Sequence, residues 1–62
     1  MFSELTVIIK DEEKTLRKKF PIYEDYSVNE LDPIIKGCID ETLKNFDGQP
    51  SDIKVNISMV VE

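Results

Sequence analysis

From Ile53 onward the chain places Ile53, Val55, Ile57, Met59 and Val61 at a spacing of two, with Lys54, Asn56, Ser58 and Val60 between them. A period of two with β-branched residues specifies a strand with one apolar face. A lone strand cannot bury such a face, so the rest of the chain must supply a sheet and a cover for it.

Two further strands are readable upstream. Over Ser3–Lys10, Leu5, Val7 and Ile9 fall on one face and Glu4, Thr6 and Lys10 on the other, with Ile8 breaking the alternation. The polar run Asp11-Glu12-Glu13-Lys14 marks a turn, and Leu16, Phe20 and Ile22 mark a second strand reaching about Tyr23. The loop length sets the register. With an even loop Ile9 faces Leu16 and Leu5 faces Phe20, so the apolar residues share a face; an odd loop puts Arg17 and Lys19 in the core. Neither Gly nor Asn is present for a tight primed turn, which favours four residues, Asp11 to Lys14. Lys18 then falls on the inner face opposite Val7 and must reach past an outer edge, which suits an edge strand.

Ser27-Val28-Asn29-Glu30 is a capping-box pattern that opens a helix, and Asp32-Pro33 offers a competing start. Val28, Leu31, Ile35, Cys38, Ile39, Leu43 and Phe46 fall on one helical face. The spacing predicts helix from about Val28 to Phe46, with a kink or break near Asp32-Pro33. Asp47-Gly48 and Pro50 stop it.

The expected architecture is a single two-layer α+β domain over residues 1–62, in the order ββαβ. A three-stranded antiparallel sheet of order 2-1-3 is covered on one face by one helix. The first strand is the most apolar of the hairpin and suits the centre; Lys18 and Pro21 mark the second as an edge. The third strand becomes the other edge, guarded by one Lys and no Pro. Ile53, Val55, Ile57, Met59 and Val60 are therefore the candidate dimer edge, pairing with a second copy into a six-stranded sheet. Size points the same way. A domain of 62 residues buries a modest core, and with one Cys and no His it has neither an internal disulfide nor a zinc cluster to help.

Composition narrows function by exclusion. Without His there is no imidazole base and no Ser-His or Cys-His pair. Gly37 and Gly48 are isolated, so no glycine-rich phosphate loop exists. No catalytic residue, cofactor or metal is assigned, and the chain is not expected to be an enzyme. Cys38 reads as a small buried hydrophobe. The longest apolar runs are three residues, too short for a membrane span, and the setting expected is cytoplasmic.

Charge leaves two candidate surfaces. Lys10, Arg17, Lys19 and Lys54 share the open face of the sheet, a basic strip that a dimer would double. A net charge of −5 opposes nucleic acid at long range, which makes that partner unlikely. Carboxylates gather at Glu24 and Asp25, beside Tyr23 and Tyr26, and at Asp40 and Glu41 on the outer helix. These six residues are the candidate contact for an unidentified protein partner. A carboxylate row can imitate DNA phosphates, although Lys36 and Lys44 interrupt it. The order hairpin–helix–strand, the size, the acidity and the expected strand-mediated dimer together resemble the small bacteriophage inhibitors of uracil-DNA glycosylase. That resemblance is one of layout over the whole chain, without a shared motif, and implies a DNA mimic. The leading expectation is a non-enzymatic binding or accessory protein acting through protein–protein contacts as a strand-paired homodimer. The alternatives are an acidic DNA-mimic inhibitor and a weak nucleic-acid binder using the basic face.

Overall fold

The computed structural model describes residues 2–23 and 27–61; the side chain of Val28 lies outside that description. The elements are β1 (Phe2–Lys10), β2 (Thr15–Ile22), α1 (Val28–Lys44) and β3 (Asp52–Val60), forming one antiparallel sheet in the order β2-β1-β3. This is the ββαβ arrangement expected from the alternation.

The hairpin register is the one the even loop demands. Leu5 stands opposite Phe20, Val7 opposite Lys18 and Ile9 opposite Leu16. Asp11 builds the connection: its Oδ1 accepts the backbone N–H groups of Glu13 and Lys14, both at 2.8 Å, and its own N–H donates to the Lys14 carbonyl. An aspartate folding the chain back on its own amides explains how the turn forms without glycine. Those two N–H donors also hold the Asp11 carboxyl below its ordinary pKa. Lys18 keeps its ammonium out of the interior by lying along Phe20, with Nζ 5.6 Å from the ring centroid.

Helix α1 opens where the capping pattern places it, with the Glu30 carboxylate accepting the Ser27 N–H at 2.9 Å. Of the kink or break expected near Asp32 and Pro33, the break is absent: the helix is continuous through both. Pro33 is the sixth helical residue, so the amide it lacks removes a single bond near the first turn, and the capped start holds the rest. The helix also ends at Lys44, two residues before Phe46, with Asn45 as C-cap. Phe46 nonetheless stays against the core, and Lys14 Nζ lies 5.2 Å from its ring.

Leu5, Val7 and Ile9 on the central strand are completely buried. Phe20, Ile22, Ile35, Cys38, Ile39, Leu43 and Phe46 close around them. Among the described residues Thr42 is fully buried as well, and its Oγ1 donates to the Cys38 carbonyl at 2.7 Å. Bonding back to its own helix lets this hydroxyl sit in an apolar layer without an unpaired donor.

Candidate functional site: the uncovered face and edge of β3

Helix α1 lies nearest β1 and β2; among the described residues none of its Cα atoms comes within 8 Å of one in β3. This changes what the apolar row of β3 means. Each of its members stands opposite a β1 residue on the helix side of the sheet: Ile53 by Ile9, Val55 by Val7, Ile57 by Leu5 and Met59 by Ser3. Directly opposed residues share a face. The β1 members Leu5, Val7 and Ile9 are buried, whereas Ile53, Val55, Ile57 and Met59 are 41, 37, 44 and 66% exposed. The row has the composition of a core strand and the solvent contact of a surface one.

The free edge of β3 lies beside that row. On this edge Lys54 is the one basic residue, and Asp52, near its start, sits 3.9 Å from Lys10. Edge strands in stable monomers are ordinarily guarded by charge, proline, a bulge or a covering segment. Among the described residues none of these is present on β3 between Val55 and Val60, all of which belong to one regular ladder with β1. An apolar row beside an unguarded edge is the feature that stands out on this molecule.

Of the residues expected at the dimer edge, Ile53, Val55, Ile57 and Met59 lie together as described, while Val60, opposite Phe2, is half-buried on the other face. The helix-free state of the row was not readable from sequence. The periodicity gives each residue's face and is silent on how far one helix reaches across three strands.

The basic residues also fall on one face, the open one. Arg17 and Lys54 flank Ile8 on its two neighbouring strands, and Lys19 stands opposite Thr6. Two of the four are partly offset: Lys10 by Asp52, and Lys19 by Glu4 at 3.8 Å. Exposed pairs at that distance are weak and leave both charges hydrated. Of the proposed contact loop, Tyr23 is exposed and its ring lies 5.0 Å from that of Phe2, while Glu24, Asp25 and Tyr26 lie outside the described residues. Asp40 and Glu41 are exposed on the helix, far in sequence from that loop, and Glu30 is occupied at the helix cap.

No family model, curated protein or solved structure matches this chain.

Chemistry offers little to work with. Among the described residues no group of three or more His, Cys, Asp or Glu side chains could hold a metal ion, and no helix is long and apolar enough to cross a membrane. An open depression lies between the hairpin turn and the segment before β3, lined by Asp11, Glu12, Glu13, Gln49 and Ser51. Burial against the core pushes the Cys38 thiol up, away from the thiolate a nucleophile needs.

Proposed function

We propose that this chain is a non-enzymatic binding module that acts through protein–protein contact and works as a homodimer joined along β3. One observation carries the reading: the apolar row Ile53-Val55-Ile57-Met59 lies on the core side of the sheet yet stays substantially exposed, beyond the strands that the helix lies nearest. Together with Val61 it exposes apolar surface on the order of several hundred Å², the size of the largest apolar patch on a typical monomer, which is often a functional one. Light scattering behind size exclusion, run over a wide concentration range, tests the proposal. The expected species is a dimer, and a paired Ile57→Lys, Met59→Lys variant is a monomer with unchanged circular dichroism. A wild-type monomer at every concentration overturns it.

The open face supports a second reading. Arg17 and Lys54 form no ion pair among the described residues, and pairing through β3 would bring two such sets onto one continuous surface. That surface suits a weak contact with nucleic acid. Titration with single-stranded DNA at low ionic strength tests it, because phosphate contacts must weaken steeply with salt. An absence of binding at the lowest salt removes this reading and leaves the first intact.

A further inference from the structure

Resting on the self-pairing reading above, we infer the register: the two copies of β3 pair antiparallel about a two-fold axis that passes through Asn56.

The argument starts from symmetry. A two-fold axis normal to the sheet leaves each side chain on its own face, so a residue can oppose only residues of its own parity. The exposed apolar row of β3, Ile53, Val55, Ile57 and Met59, is odd-numbered and faces the helix layer; Lys54, Asn56, Ser58 and Val60 are even and face the open side. Every symmetric register therefore joins the two apolar rows into one strip, and what differs between registers is overlap and charge.

Overlap selects the midpoint. Strand β3 runs from Asp52 to Val60, so an axis at Asn56 pairs all nine residues of each copy. Moving the axis by one residue leaves two residues of each strand unpaired. Charge agrees with overlap. An axis at Lys54 would set that ammonium against its own copy, which is destabilising for directly opposed like charges. With the axis at Asn56, Lys54 opposes Ser58, Asp52 opposes Val60, and the two Asn56 amides meet each other, each able to donate and accept. On the helix side Ile53 meets Met59 and Val55 meets Ile57, each contact occurring twice. Because α1 keeps clear of β3, no helix obstructs the approach of the second edge. A standard interface removes about 800 Å² from each partner. At their exposed fractions Ile53, Val55, Ile57 and Met59 supply on the order of half of that area, and the nine-residue backbone edge with its open-side residues has to supply the rest.

Single cysteines on the exposed open face read the register directly. In a Cys38→Ser background, Asn56→Cys is expected to form a disulfide-linked dimer under mild oxidation. Lys54→Cys and Ser58→Cys alone should crosslink at least roughly tenfold less, since each would lie about 13 Å from its own copy, beyond disulfide reach. Mixing those two variants should restore the crosslink, because residues 54 and 58 oppose each other. On the unmodified chain, mixed isotope labelling should give intermolecular methyl NOEs between Val55 and Ile57. A dimer whose crosslinking peaks at 54 or 58, or whose NOEs join other pairs, overturns the register and leaves self-pairing standing. A monomer by light scattering overturns both.

Discussion

Leu5 and Ile57 stand directly opposite each other on adjacent strands and point to the same side of the sheet, yet Leu5 is fully buried and Ile57 is 44% exposed. The helix ends its cover between them.

That asymmetry has an energetic counterpart. Leu5→Ala should cost about 2–5 kcal/mol through lost transfer energy and the cavity left behind. In a domain of this size such a loss approaches the whole stability. Ile57→Ala should cost roughly 1 kcal/mol or less in the isolated subunit, since much of the side chain is already in water. Urea unfolding of the two variants at low protein concentration makes the comparison. Equal losses would mean that β3 is roofed after all.

The same pair of residues shows how far sequence carried the reading. Alternation and loop parity were enough for the hairpin register, because a slip would drive Arg17 and Lys19 into the core. The strand order followed from Lys18 and Pro21 marking an edge. Periodicity did not reveal that β3 lies outside the helix's reach, since Ile57 and Leu5 are the same kind of residue at the same phase. The helix also tolerated Pro33, which local propensity alone would have used to break it. Thr42 was overlooked because a hydroxyl reads as polar until its bond to the Cys38 carbonyl is seen.

Thr42 should accept valine with little change. The Cys38 carbonyl keeps its helical partner, and removing both the hydroxyl and its need for an acceptor leaves a shape-matched apolar group. Thr42→Val is expected to fall within about 1 kcal/mol of wild type, whereas Thr42→Leu should lose about 1–3 kcal/mol by overpacking. Thermal unfolding distinguishes them.

Gly37 stands mid-helix with nothing within 4 Å of the position a Cβ would take. Alanine there should stabilise the protein by up to about 1 kcal/mol, through helix propensity alone. The gain should appear as a higher urea midpoint with an unchanged slope.

Asp11 makes stability depend on acid. Its carboxyl titrates below the ordinary 3.8 in the folded chain, because the Glu13 and Lys14 amides favour the charged form. The folded state therefore gains from this group above that value and loses the gain as pH falls through the depressed pKa. Asp11→Asn should be less stable than wild type near neutrality and should show a flatter stability profile below about pH 4. Parallel profiles for the two proteins would remove Asp11 as the source.

The Cys38 thiol, raised by burial, should react with a disulfide reagent at pH 8 far more slowly in the native protein than in urea. Similar rates in both would mean that the helix lifts readily from β1 and β2.

Placing the first strand between the other two has a consequence for how the molecule comes into being. One side of β1 can zip to β2 through a turn of four residues, but the other side must wait for Asp52–Val60, with Phe2 meeting Val60 across nearly the entire chain. Loop-closure entropy falls on that second closure, so the hairpin and helix are free to gather first, and the docking of the last strand should set the pace of folding.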